Sequence, residues 1–492
     1  MFTTLAHSRM SRLGANSTPV NELAAYFLTI RADIALPVGL FLATLVTLHA
    51  LLRKREVTSA AAWIGLSWFA PVTGAISYLL LGINRVQRRA RLMRAPHARA
   101  ASLEDGPALR DAHLDALQRG VARITGRTLL GGNAVRIFQN GDEAYGPMLA
   151  AIGAARRSVG LTSYIFRNDQ SGGRFIDALE AAQARGVQVR VLIDGIGGGW
   201  LTSPAYHQLR RRGVKAARFL HSSLPWRMPF LNLRCHKKIL LIDGVLGFTG
   251  GMNIADQNVQ AMRPRDAVQD THFELRGPVV AQLAEAFAQD WSFAADEVLE
   301  GDAWFPEVPA AGDVPARVID SGPDQDIEKA EFAILQAVSC ARQSISVMTP
   351  YFLPDERLIT ALSLAAMRGV AVDVVVPAKS DQRKIDCAFR ANIGPLLDDG
   401  VRIWRCPPPF RHTKLLVVDG AWCMVGSANW DIRSFRLNFE LCVELYDSGL
   451  AATLCAFMQA NRGTALTQAE LDGRSLAGKL RDAAIRLMLP YL

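Results

Sequence analysis

The sequence predicts an α/β protein with two duplicated α/β/α lobes that share one active site, preceded by an N-terminal hairpin of two membrane-spanning helices. Three observations carry that expectation. The pattern H-x-K-x4-D occurs twice, as His236, Lys238, Asp243 and as His412, Lys414, Asp419, each followed by a Gly-rich turn ending in an asparagine, Asn253 or Asn429. A strand–helix–strand signal also occurs twice, at 158–194 and at 344–378, each time ahead of its H-x-K copy. Two long uncharged apolar runs precede all of this.

Taken in order, residues 1–33 form a polar tail with no assigned fold. Ile34 to Leu52 carries no formal charge and is just long enough to cross a hydrocarbon core at the α-helical rise. Arg53, Lys54, Arg55 and Glu56 interrupt it, and a second uncharged run reaches Ile83. Spans are expected at about 34–52 and 60–83. Pro71 predicts a kink in the second or its split into half-helices, and Trp63, Trp68 and Tyr78 suit membrane interfaces. Arg85, Arg88, Arg89, Arg91 and Arg94 open a basic juxtamembrane segment and linker over 84–130, suited to anionic lipid headgroups. Basic residues outside the hairpin outnumber those between the spans, which places the body in the cytoplasm.

The formal charge of +9 resides entirely in residues 1–100, which hold 12 basic and 3 acidic residues. The remainder is balanced, which argues against nucleic acid as the partner, since such proteins carry their excess on the folded body. Seven cysteines without CxxC spacing suggest neither a disulfide framework nor a zinc site. Cys235 is expected to pack away from its neighbour His236, on the opposite strand face.

From Val135 the pattern alternates. VRIF reads as a strand, GDEAYGPMLAAIGAARR as a helix, SVGLTSYIF as a strand, GGRFIDALEAAQARG as a helix ending on Gly186, and VQVRVLID as a strand. This βαβ order implies a largely parallel sheet. Lobes are expected at 131–300 and 301–492, related by a pseudo-two-fold axis that brings both motifs into one cleft. GIGGG at 195–199 reads as a connection, and the prolines at 407–409 as a stiff approach to His412.

The motif's parity suggests its chemistry. On a strand, His236 and Lys238 point one way, as do His412 and Lys414, while Asp243 and Asp419 have the opposite parity and are expected to tie each lobe together. Two imidazoles, two ammonium groups and two asparagines suit a phosphate diester. One imidazole attacks phosphorus, the other protonates the leaving alcohol, and the cations stabilise the transition-state charge. A carboxylate is needed on the second nitrogen of the nucleophile. Asp270 and Glu440, 34 and 28 residues after the histidine of their own lobe, are the candidates. No metal and no cofactor is required.

These residues resemble the phospholipase D superfamily and, within it, bacterial cardiolipin synthases of the phospholipase D type. The resemblance runs through GGMN, GSAN, QDTHFELRGP, NWDIRSFRLNFE and the final RLMLPYL. It implies a pair of phospholipase D-like lobes, His236 as nucleophile and His412 as acid and then base. Lys238, Lys414, Asn253, Asn429 and Ser427 would bind phosphate, and Asp270 and Glu440 would support the histidines. The H-x-K-x4-D aspartates Asp243 and Asp419 complete the catalytic motif. The partners implied are phosphatidylglycerol and other anionic phospholipids in the bacterial inner membrane, and the reaction joins two phosphatidylglycerols with release of glycerol. PPPFRH before His412 and the tryptophan of NWD depart from the family pattern beside the acceptor side, so phosphatidylethanolamine, water or another alcohol stays open as acceptor. Hydrolysis by water and a membrane-tethered nuclease are the alternatives. The balanced body argues against the nuclease.

Overall fold

The computed structural model describes residues 19–53, 57–82, 106–109, 111–221, 233–323 and 326–489. The start of the polar tail, the Lys54–Glu56 part of the basic interruption, the arginines at 85–94 and residues 490–492 lie outside the described residues. The chain divides into two compact units, Met1–Asn84 and Arg85–Leu492.

In the first unit, the helix Pro19–Arg53 begins well before the expected start at Ile34. Its window Leu36–Arg53, of mean hydropathy 1.7, is long and apolar enough to cross a membrane. Among the described residues it is the one candidate span. The second expected span is not one continuous helix. It runs as Val57–Phe69, breaks at Ala70, resumes as Pro71–Ser77 and ends in a π-turn, Tyr78–Gly82. Pro71 has no N–H to give the preceding turn, so it starts a new helix at its first position. The pieces pack on the first helix through His49 Nδ1 and the Tyr78 hydroxyl (2.7 Å), and through Trp68 Nε1, which donates to Thr47 Oγ1 (3.0 Å).

The second unit is organised by one sheet. Its first half uses β1 (Leu130–Gln139), β2 (Ser158–Ser163), β3 (Gln188–Asp194), β4 (Ala216–Phe219), the short β5 (Arg234–Cys235), β6 (Ile239–Ile242), β7 (Leu246–Gly250), β8 (Val268–Gln269) and β9 (Thr271–Arg276). The second half uses β10 (Val314–Ser321), β11 (Ser344–Met348), β12 (Phe352–Leu353), β13 (Ala371–Pro377), β14 (Arg402–Cys406), β15 (Phe410–Arg411), β16 (Leu415–Val418), β17 (Trp422–Gly426), β18 (Trp430–Asp431), β19 (Asn438–Tyr446) and β20 (Thr464–Ala465). β12 with β18 and β8 with β15 form separate two-stranded sheets, and β5 is added on β19. In the main sheet the spatial order is β20-β14-β13-β11-β16-β17-β19-β10-β1-β9-β7-β6-β2-β3-β4. Apart from β20 at the edge, it reads the same from either end. The duplication is therefore a pseudo-two-fold arrangement centred on the antiparallel pair β1–β10, where Leu130 faces Ala316 and Asn133 faces Val314.

The expected strands and helices of each βαβ unit are present, including Gly186 and Gly369 at positive φ where each helix turns into its next strand. The largely parallel sheet is not. β2–β3–β4 and β11–β13–β14 are parallel, but β6, β7, β9 and β1, and their counterparts, pair antiparallel. The reason is local. Asp243–Gly244 and Asp419–Gly420, all at positive φ, make tight hairpins that a parallel connection of that length cannot replace.

Helices cover both faces. Asn140–Ala154 and Gln170–Ala184 bury one face of the first half, and Lys329–Cys340 and Glu356–Met367 the matching face of the second. The other face is common to both halves. Val279–Ala295 and Ser448–Ala460 pack on it in one continuous core containing Phe287, Trp291, Val318, Val443 and Leu454. Cys235 lies in that core, as its parity predicts. Part of the expected linker is also built in: the helix Asp115–Thr125 buries Leu117 and Val121 against the second lobe, while His113 Nε2 donates to Asp419 (2.9 Å).

Candidate active site

The motif segments converge where the lobes meet. Each His-x-Lys triplet immediately precedes its hairpin strand, β6 or β16. Hydrogen bonds to the other lobe hold both triplets. His236 N donates to Phe439 O (2.8 Å), and His412 N to Gln269 O (2.7 Å). β5 pairs in parallel with β19, and β15 with β8, so the polypeptide exchanges short strands across the boundary on both sides. The two imidazoles then face one another, with ring centroids 6.3 Å apart and planes at 81°. Both histidines are buried, with 6% and 9% exposure.

The supporting carboxylates are crossed relative to the expectation. His236 Nδ1 donates to Glu440 Oε2 (3.0 Å), and His412 Nδ1 to Asp270 Oδ2 (2.8 Å). Each histidine thus takes its partner from the opposite lobe, not from its own. The exchanged short strands explain this. Glu440 is one residue past Phe439 on β19, and Asp270 follows Gln269, so each lies beside the incoming histidine of the other lobe. Asp270 and Glu440 are equivalent by register: Gly250 pairs with His272 and Gly426 with Cys442, two residues on in each case.

The electrostatics follow from burial. Burial, then Lys238 and Lys414, hold the His236 imidazolium well below its ordinary pKa. Burial and Lys414 bring His412 down to about 4 against the pull of Asp270. Burial lowers Lys238 to about 7 and Lys414 to about 8, although Glu440 and Asp270 oppose it in both cases. The carboxylates diverge. Burial raises Glu440 despite Lys238, whereas Lys414 and the His412 hydrogen bond outweigh burial at Asp270 and leave it lowered. Cations crowded in a dry site await an anion.

Lys238 Nζ donates to the His236 carbonyl (2.5 Å) and lies 5.4 Å from the Tyr164 ring centre. Lys414 Nζ donates to the His412 carbonyl and also lies 2.8 Å from His412 Nδ1. Asn253 and Asn429 are buried as well. Asn253 Oδ1 accepts from Ile165 N (3.1 Å), which leaves the amide NH2 for other partners, and Asn429 Oδ1 has no hydrogen-bond partner among the described residues.

Two expected roles need correction. Ser427 was expected on phosphate. Its hydroxyl is fully buried, donates to Glu440 Oε2 (2.6 Å) and accepts from Leu441 N (2.9 Å), so it steadies a carboxylate instead. Asp243 and Asp419, counted with the catalytic motif, lie at the far ends of their strands. Asp243 accepts from the backbone of Arg156, Arg157 and Ser158 (3.0, 2.7 and 2.9 Å), and Asp419 from Arg342, Gln343 and Ser344 (2.9, 2.7 and 2.9 Å). They tie the hairpin to the first strand of each βαβ unit, as their parity implies.

Sequence reasoning missed other residues. Tyr164 sits edge-on to His236 (4.9 Å) and Tyr351 to His412 (6.2 Å). A tyrosine just past the first strand of each repeat was the available signal. Lys237, between the two motif residues, is 1% exposed and bridges Asp290 (2.9 Å) of one lobe and Asp320 (2.6 Å) of the other. Arg433, on the short helix after Asn429, is lowered by burial and by the nearby Arg234. Burial and the charge of Asp194 raise the neighbouring Tyr164. The GIGGG segment is an ordered turn whose Ile196 and Gly197 N–H groups are taken by Asp194 (2.9 and 2.6 Å), so it does not cradle a phosphate.

A duplicated lobe that contributes one His–Lys pair to each side of a shared dry site defines a phospholipase D-like architecture. Comparison with known proteins agrees. Residues 148–291 and 334–460 match the family described as cardiolipin synthase, PLD-like domain, and residues 41–82 match a phospholipase D-nuclease N-terminal segment. Cardiolipin synthase A of Pseudomonas aeruginosa is 33% identical over 458 residues, covering 90% of this chain and 93% of its own length. Cardiolipin synthase 2 of Staphylococcus epidermidis is 31% identical over 466 residues, covering 90% and 94%. The chain belongs to the family of phospholipase D-like cardiolipin synthases. The crystal structure of phosphatidylserine synthase from Haemophilus influenzae Rd KW20 has the same fold, with a TM-score of 0.59 at 13% identity over 78% of this chain and all of that one.

Proposed function

We propose that this protein is a membrane-bound phosphatidyltransferase that makes cardiolipin from two phosphatidylglycerols. The observation that carries the reading is the pair of imidazoles 6.3 Å apart, each held at Nδ1 by a carboxylate from the opposite lobe. A proton on Nδ1 leaves the Nε2 lone pair free, which is the form a nucleophile needs. His236, which burial and the two lysines hold unprotonated, attacks the donor phosphorus. The P–O bond to glycerol breaks, and the leaving oxygen takes the Nε2 proton of His412, which enters this step as the imidazolium paired with Asp270. Phosphatidyl-His236 is then attacked by a hydroxyl of the second lipid as His412 removes its proton, and the P–N bond breaks. Lys238, Lys414 and the amides of Asn253 and Asn429 bind the phosphoryl oxygens and stabilise the added charge. Asp270 and Glu440 orient the imidazoles. The apolar N-terminal unit anchors the chain in the bacterial inner membrane in a multi-pass arrangement, with the catalytic body on the cytoplasmic side.

The test is full-length protein in mixed micelles with labelled phosphatidylglycerol, followed by lipid separation. Cardiolipin with equimolar free glycerol is expected. Phosphatidic acid as the sole product would replace transfer by hydrolysis, and no turnover would overturn both. His236→Ala is expected to abolish the covalent lipid adduct. An adduct that survived there and vanished in His412→Ala would exchange the two roles.

A further inference from the structure

The last helix, Leu476–Arg486, carries two apolar faces. One is buried: Ile485 and Leu489 pack with Leu353, Ile385 and Ala388 in a cluster that includes Tyr351, the ring beside His412. Asp482 on that side is buried and ion-paired with Arg390 (3.0 Å). The other face is open. Leu476, Leu480 and Leu487 are 73%, 62% and 79% exposed, and spacings of four and seven residues align them in one stripe. Exposed Lys479 and Arg486 border that stripe, and exposed Arg383 and Lys384 lie on the neighbouring helix Arg383–Asn392, which packs against this one.

We propose that this helix is a second membrane contact, which docks the catalytic body onto an anionic bilayer surface and holds the His412 side of the site at the lipid supply. An apolar stripe edged by cations is the chemistry of a helix lying in a headgroup region. The same cations disfavour a second copy of this face as occupant, because like charges would meet. The link through Ile485 and Leu489 to Tyr351 sets the docked surface next to the chemistry. This inference rests on the reading of the substrate as an anionic bilayer lipid.

The experiment uses the full chain in lipid nanodiscs, with one chain per disc. Amide exchange of the peptide covering 476–487 is compared in discs of phosphatidylcholine alone and discs containing phosphatidylglycerol. About tenfold slower exchange with phosphatidylglycerol is expected, which corresponds to about 1.4 kcal/mol added to the local opening of the helix. Equal exchange in both discs, or slowing that appears only when two chains share a disc, overturns the proposal. In parallel, Leu480→Ser with Leu487→Ser, and separately Lys479→Glu with Arg486→Glu, are expected to lower turnover of bilayer phosphatidylglycerol about tenfold. Turnover of a monomeric short-chain phosphatidylglycerol should stay unchanged. Unchanged turnover on both substrates in both variants overturns the docking role. If the unmodified protein turns over neither substrate, the transferase reading fails, and the exchange comparison still decides the docking.

Discussion

His236 and Glu440 stand 204 residues apart in sequence and 3.0 Å apart in space, Nδ1 to Oε2, on opposite lobes. Neither lobe alone supplies a complete histidine–carboxylate pair, so the active site exists only in the assembled duplication.

The crossed pairs predict distinguishable variants. Glu440→Gln should reduce phosphatidyl-histidine formation about 10²–10⁴-fold, the range for losing the orienting partner of a catalytic imidazole. Asp270→Asn should slow protonation of the leaving alcohol. A donor lipid with a nitrophenol leaving group, which needs no proton, should restore adduct formation in Asp270→Asn and not in Glu440→Gln. Restoration in the reverse pattern would show that His412 is the nucleophile.

Ser427→Ala tests the reassigned serine. Removing a buried hydroxyl that donates to Glu440 leaves that carboxylate short of a partner, which costs about 1–3 kcal/mol. kcat should fall roughly tenfold while KM for the donor stays constant, since 1.4 kcal/mol is one decade. A raised KM at unchanged kcat would return Ser427 to the phosphate. In the other lobe, Gly251→Ala would place a Cβ 2.4 Å from Asp270 Oδ1 and should damage the His412 side instead.

Lys237→Met should destabilise the fold by about 3–5 kcal/mol, because it removes the buried cation that bridges the carboxylates of Asp290 and Asp320 across the lobe boundary. Thermal melting should show a lowered Tm, partly recovered when Asp290→Asn and Asp320→Asn are added. A wild-type Tm for Lys237→Met would remove the ion triad from the lobe interface.

The pH profile follows from the lysines. In the proposed mechanism their ammonium forms bind phosphate, and burial lowers Lys238 to about 7 and Lys414 to about 8. Raising the pH through that window removes the charge, so kcat/KM should decline above about pH 8, well below the range of an ordinary lysine. On the acid side, activity should persist below the ordinary histidine range and fall only where His236 takes up the proton that blocks its Nε2 lone pair, because burial and the two lysines hold that imidazole well below its usual pKa. An alkaline limb near 10 would mean that solvent reaches the ammonium groups.

Much of this protein was legible in its sequence. The βαβ periodicity placed the strands and helices of both repeats, and the strand parity of Asp243 and Asp419 separated them from the chemistry. The antiparallel hairpins were less visible, because the Asp–Gly turns at 243–244 and 419–420 sat inside a motif read for its chemistry. Ser427 misled because a serine in a Gly-rich turn looks like an anion ligand until its depth is known. The break at Ala70–Pro71 was legible as a kink or a split, and the missing N–H of Pro71 made it a split into short helices.

By itself the sequence determined the residue types and their spacing: two His–Lys pairs, two carboxylates, and two repeats able to superpose by a half-turn. Local spacing cannot say which carboxylate meets which histidine. The tertiary structure decided that, because β5 and β15 cross the lobe boundary to pair with β19 and β8. Those backbone hydrogen bonds carry each histidine to the far lobe's acid, so the chemistry depends on contacts between residues more than a hundred positions apart.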